Sequence, residues 1–172
     1  MLYKIHKAFK DLIFSYAMTL LQKIKKLLDE HKIHYQEKLH APTVTSEDSA
    51  RERGEPMKIG AKALLLKADE NFCLCVLPAD RRMDMHKVKE ILAAKKIRMA
   101  TGEELEQATG CTKGAVPPFG ELMGVSMLVD KAQFDEEYIA FNAGSLTNSI
   151  KMKTADYVKA VKPRMEEFSV KG

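Results

Sequence analysis

Two apolar runs, Ala61–Lys67 and Phe72–Leu77, stand on either side of Ala68-Asp69-Glu70-Asn71. Together they predict a β-hairpin, the strongest local signal in the chain. What surrounds the hairpin decides the fold class. Leu20–His31 carries apolar residues at helical spacing with lysines on the opposite face, so an amphipathic helix precedes it. Ile33–Leu39 alternates and reads as a strand, broken by His40-Ala41-Pro42. Thr45 with Asp48 opens a short helix that stops at Gly54. After the hairpin, Asp84 caps a helix running to about Ala94, Ile97–Met99 reads as a short strand, and Thr101 with Glu104 forms a second capping box. Thr109–Gly120 holds three glycines and two prolines and is read as irregular. Val125–Val129, Tyr138–Asn142 and Ser149–Met152 read as strands, the last followed by a helix that Thr154 caps and that ends near Pro163. Strands and helices are mixed without regular β-α-β alternation. The expected architecture is therefore a single α+β domain with a curved, mixed β-sheet and flanking helices.

The chain has 172 residues, enough for one domain with a substantial core. Its three cysteines, Cys73, Cys75 and Cys111, make a poor disulfide framework and point to a reducing, cytoplasmic setting. The net charge of +4 resides in the first forty residues, with 8 lysines against 4 acidic residues. Within the balanced remainder, 51–98 has 12 basic and 7 acidic residues, whereas 101–148 has 2 and 8. One half of the body can thus offer a positive face to phosphates, or simply an ordinary solvated surface. Leu12–Leu21 is apolar but shorter than the ~20 residues a bilayer requires, and no clear cleavage site follows it. Residues 1–17 are expected to form a helical N-terminal extension, with the domain proper at 18–172; Met18 is an alternative start. No membrane association is expected.

Three features carry chemistry, and each admits a plainer reading. Alternation places Lys62 on the face of Leu64 and Leu66, at the mouth of an apolar strand. There it is either a cation held in a cleft or a snorkelling lysine. Gly114-Ala115-Val116-Pro117-Pro118-Phe119-Gly120 is either a rigid loop that aims backbone groups at a ligand or a connector. Phe141-Asn142-Ala143-Gly144-Ser145-Leu146-Thr147-Asn148 is either a pocket floor or a tight turn. Cys73-x-Cys75 within a strand reads as buried apolar thiols. No H-E-x-x-H spacing, G-x-S-x-G elbow or Walker loop is present, and neither a metal nor a cofactor is expected.

Taken in order, His40-x-Pro42 with Thr45, the strand lysine Lys62, the G-x-x-x-P-x-G loop and the closing Asn142-Ala143-Gly144 resemble the YbaK / prolyl-tRNA-synthetase-associated editing family from about Leu20 to Val161. The resemblance implies a curved mixed sheet and removal of wrongly attached amino acids from tRNA, mostly prolyl-tRNA. It implies Lys62, Gly114 and Ala115 as catalytic positions. It implies His40, Thr45, Val116, Pro118, Gly120, Asn142, Gly144 and Ser145 as substrate-binding ones. Gly144 stands where the alanine-specific branch carries a histidine. Ala115 and Pro117 replace the second Gly and the Ser of the cysteine-specific loop, so another branch is implied.

The mechanism expected from this is hydrolysis of an activated ester by positioning rather than by a nucleophile–base pair. Backbone groups at 114–116 would place water and the carbonyl. Lys62 would hold the terminal nucleotide or the oxyanion, and Asn142 and Ser145 would contact the amino-acid end. A side chain at Gly144 would occupy space that the amino acid needs. The implied partners are the acceptor end of aminoacyl-tRNA and an aminoacyl-tRNA synthetase, with the chain a monomer or weak homodimer. The rival readings are a non-catalytic binding module of the same fold and a hydrolase of another small acyl ester.

Overall fold

The computed structural model describes residues 18–172; the expected helical extension at 1–17 lies outside the described residues. Helix α1 (Leu20–Glu30) is held at its start by a reciprocal capping box between Thr19 and Gln22. It buries Ile24 and Leu28 completely. Strand β1 (Tyr35–Leu39) follows, then α2 (Ser46–Arg53), capped by Thr45 and ended by Gly54 at φ 70°. The hairpin is β2 (Ala61–Ala68) and β3 (Asn71–Pro78). Ala68 pairs with Asn71, so the connection is a two-residue turn, shorter than the four residues expected, with Asp69 at φ 50°.

Next come β4 (Arg81–Met83), α3 (Met85–Ile91), β5 (Ile97–Met99) and α4 (Gly102–Thr109). Helix α3 stops short of the expected Ala94 because Ala93 takes a left-handed conformation, φ 50°. The chain then forms α5 (Gly120–Met123), β6 (Ser126–Asp130), β7 (Tyr138–Asn142), β8 (Asn148–Lys153) and α6 (Thr154–Val161). Thr154 does not cap α6: Lys153 occupies the cap position, and the buried Thr154 Oγ1 has no partner among the described residues. Nor is β8 the last strand. Two short ones, β9 (Arg164–Glu166) and β10 (Ser169–Lys171), follow Pro163.

The central sheet has the order β5-β2-β3-β6-β9, antiparallel on the β2 side and parallel from β3 to β6 and β6 to β9. A second sheet, β1-β8-β7, joins it through a parallel bridge between Gly60 and Ala140. This mixed architecture agrees with the α+β reading. Strand alternation gives the central sheet two apolar faces. Leu65, Leu74, Val76 and Val129 pack under the 111–116 segment, while Leu66, Cys73, Cys75, Leu77 and Leu128 pack against Val88 and Phe168. All three cysteines are free and buried. Asp130 ties down the C-terminal segment. Its buried carboxylate accepts the Phe168 and Ser169 N–H groups at 2.7 and 2.6 Å.

Candidate active site

Strand β5 covers only Leu66–Ala68 of β2, which leaves the first half of β2 with an open edge. The Ala79 N–H donates to Gly60 O on the β3 side, and the Ala100 N–H donates to Leu65 O on the other. Ladder alternation therefore turns the Ala63 N–H and C=O toward the open edge. A cleft of about 610 Å³ lies against that edge. Its other walls are α2, the start of α4, the loop at 113–116 and Asn142 at the end of β7.

Lys62 lines this cleft and is half-buried. Its Nζ donates to Arg81 O at 2.6 Å and to Ala79 O at 3.5 Å, which fixes the head group and leaves one of three N–H donors over. Burial lowers its pKa from the ordinary lysine value, against smaller opposing effects of Glu47 and Asp80.

Arg53, from the last turn of α2, also lines the cleft, with its guanidinium close to Gly60 at the start of β2. Its Nη2 donates to Asn142 Oδ1 at 3.0 Å and its Nε to Ser149 Oγ at 2.9 Å. No carboxylate pairs with it among the described residues. Burial pushes its pKa down to about 10, with Glu55 opposing. A part-buried guanidinium whose side-chain hydrogen bonds go to neutral acceptors is unusual, because desolvating a charge is costly unless it is paired. Asn142 extends the network. Its Nδ2 donates to Gly114 O at 2.8 Å and to Thr43 Oγ1 at 3.2 Å, and Ser49 Oγ donates to Thr43 Oγ1 at 3.0 Å. His40 Nε2 lies 2.7 Å from Ser149 Oγ at the far end. Arg53 thus orients Asn142, and Asn142 orients the Gly114 peptide.

The loop's carbonyls at Gly114 and Ala115 are engaged, whereas the Gly114 N–H, like that of Val116, has no protein acceptor among the described residues. Ala115 donates its N–H to Thr112 O and accepts from the Gly144 N–H at 2.9 Å.

Of the residues expected at the site, Lys62, Thr45, Gly114, Val116 and Asn142 line the cleft. The Thr45 hydroxyl is engaged in capping α2, accepting the Asp48 N–H and donating to Asp48 Oδ2. The remaining six lie behind the wall. His40 ends the polar network, and Ala115 is buried in the core beneath the loop. The Pro118 carbonyl accepts the Tyr157 hydroxyl at 2.7 Å. A Cβ on Gly120 would stand 2.5 Å from Val125 O, so that glycine allows a close backbone crossing. Ser145 Oγ bonds within its own turn, to Thr147. Gly144 differs most from expectation: at φ 83° its α-carbon faces Leu20 of α1, where a Cβ would meet the Leu20 side chain at 3.1 Å, not the cleft.

The sequence reading missed Arg53. SEDSARER carries so many charges that nothing separates Arg53 from Arg51, which is exposed and paired with Asp48. The one available signal was Ser49 and Arg53 at i and i+4, sharing a helix face.

The family model for the aminoacyl-tRNA editing domain matches residues 40–160, and so takes in α2, the hairpin, the loop and Asn142. The chain is similar to the multifunctional Ser/Thr-tRNA deacylase ProXp-y of Escherichia coli (strain K12), at 30% identity over 86% of this chain and 91% of the relative. It is also similar to the prolyl-tRNA editing protein ProX of Acetoanaerobium sticklandii, at 26% identity over 88% of this chain and 96% of the relative. Among solved structures, one described as a putative trans-editing enzyme for prolyl tRNA synthetase superposes with a TM-score of 0.75 at 17% identity. It covers 89% of this chain and 98% of that one, and this likeness is one of fold. The chain belongs to the aminoacyl-tRNA editing domain family.

Proposed function

We propose that the cleft between β2 and α2 hydrolyses the ester linking a wrongly attached amino acid to the terminal ribose of tRNA. The chain acts in trans as an aminoacyl-tRNA deacylase. The observation that carries this reading is a cleft lined by Lys62 and Arg53, in which Arg53 and Asn142 orient the Gly114 peptide of the loop. An ester needs little chemical help beyond positioned water and stabilisation of the developing oxyanion.

In this scheme the remaining Lys62 donor holds the terminal nucleotide or the oxyanion. The Val116 N–H and the open Ala63 peptide groups orient the acyl group and its water. Asn142 holds the loop in place, and Ala115 anchors it from below. Arg53 supplies the second positive charge through guanidinium donors not used by Asn142 and Ser149. Serine and threonine are the first candidates for the amino acid removed. The E. coli relative is named for them, and the polar wall at Ser49 and Arg53 suits a small hydroxylated side chain. The tRNA is tRNA-Pro or a close relation, and the reaction takes place in the cytoplasm. Three buried free thiols are consistent with a reducing compartment. Among the described residues no helix is long and apolar enough to cross a membrane.

The test is a deacylation panel: the purified chain with tRNA-Pro charged in turn with serine, threonine, alanine and proline. Release of seryl or threonyl groups faster than prolyl groups is expected. Stable esters throughout, with a folded protein, would contradict the proposal.

A further inference from the structure

A second cavity, of about 820 Å³, lies on the other side of β5. Lys67, His86, Lys89, Lys95, Lys96 and Arg98 line it, brought together from β2, α3 and the segment entering β5. Its acidic members, Asp69 and Glu70, do not balance this set. Asp69 accepts the backbone N–H groups of Lys95 and Lys96 at 3.1 and 2.8 Å, and these bonds lower its pKa. Its carboxylate therefore chiefly fixes the backbone of the two lysines and acts on the Lys95 and Lys89 side chains only as a weaker, unpaired charge. Arg98 and Lys67 share Glu104, at 2.7 and 3.8 Å. Lys89, Lys95 and Lys96 form no ion pair among the described residues.

The cavity adjoins the cleft along two strands. Ile97 and Arg98 line the basic cavity, and the next residues, Met99 and Ala100, line the cleft. On β2, Lys62 belongs to the cleft and Lys67 to the cavity, ~17 Å further along an extended strand. A polyanion whose end sits in the cleft can lie over the second cavity without leaving the surface.

We propose that this basic cavity docks backbone phosphates of the RNA whose aminoacylated end occupies the cleft. The proposal rests on the deacylase reading and adds how the body of the substrate is held. Lysine head groups on flexible stems are point charges suited to phosphates and carry no base-specific fork. A protein partner is the weaker match, since protein interfaces favour Phe, Tyr and Trp anchors and are depleted in lysine, and among the described residues no Phe, Tyr or Trp lines this cavity.

The test compares the wild-type chain with the triple variant Lys89→Gln, Lys95→Gln, Lys96→Gln. Binding of uncharged tRNA-Pro is followed by fluorescence anisotropy across a salt series. Hydrolysis is measured on seryl-tRNA-Pro and on 3′-O-seryl-adenosine, which reaches only the cleft. The variant should bind tRNA at least about tenfold more weakly, with a log K against log salt slope shallower by ~2–3, the change for three lost phosphate contacts. Its hydrolysis of seryl-adenosine should equal that of the wild type. Unchanged tRNA affinity and salt slope would overturn the proposal, as would an equal loss on seryl-adenosine, which would place the damage in the cleft. Intact tRNA binding combined with lost binding of prolyl-tRNA synthetase would also overturn it, in favour of a protein interface. Failure of the wild type to hydrolyse either substrate would refute the deacylase reading, while the salt series would still decide the RNA site.

Discussion

Arg53 brings its charge into the cleft wall with an amide oxygen and a hydroxyl as hydrogen-bond partners and, among the described residues, no ion-paired carboxylate. Its fork geometry matters as much as its charge, because one planar group must hold Asn142 and Ser149 together and still face the substrate. Lysine at this position would keep the charge and lose the fork. Arg53→Lys should therefore lower kcat/KM for the preferred aminoacyl-tRNA by about tenfold or more, the scale expected when a positioning contact shifts by a fraction of an ångström. The check is steady-state kinetics on a variant whose circular dichroism matches wild type; near-normal turnover would remove Arg53 from the site. Lys62 and Asn142, which line the cleft, could be singled out beforehand because each breaks an apolar strand pattern at a position that the family resemblance also marks. Arg53 could not, since one more charge in a charged helix breaks no pattern. Only the tertiary arrangement shows which face of α2 turns inward.

At the scale of elements, the hairpin, α1, α2 and the capped α4 could be read locally because each carries its own start or stop signal: Thr45 and Gly54 for α2, Thr101 with Glu104 for α4. Strands β4, β9 and β10 could not. Each is three residues long, and β10 pairs only with β4 while β9 lies at the sheet edge. Such pieces exist because of non-local contacts, here the Asp130 carboxylate gripping the Phe168 and Ser169 backbone. The segment after β7 shows a subtler limit. Its small polar residues do shape the site, but from behind: Gly144 joins the Ala115 carbonyl to α1 through its N–H and its bare α-carbon. Gly144→Ala should cost about 1–3 kcal/mol of stability, from the positive φ and the contact with Leu20. Its effect on kcat/KM should be the same for every amino acid. Thermal denaturation and kinetics on several aminoacyl-tRNAs check this; a changed ranking of substrates at unaltered stability would mean that the residue lines the amino-acid pocket.

For the molecule as a whole, the sheet does two things at once. Its buried faces make β2 rigid, and its incomplete pairing with β5 leaves one edge of that strand open beside a fixed lysine. The open edge, the Arg53–Asn142 network and the loop at 113–116 then enclose a cleft lined by Lys62, Arg53 and the exposed Lys113, with no metal-ligand cluster among the described residues. The central claim is that ester hydrolysis occurs in this cleft and depends on Lys62. The most direct measurement is kcat/KM of Lys62→Ala on seryl-tRNA-Pro beside wild type, with folding verified by thermal melting. The loss should be at least about tenfold and can approach the hundredfold known for removing a single oxyanion donor, while uncharged tRNA still binds through the adjoining basic cavity. A folded Lys62→Ala protein that hydrolyses the ester at the wild-type rate would contradict it.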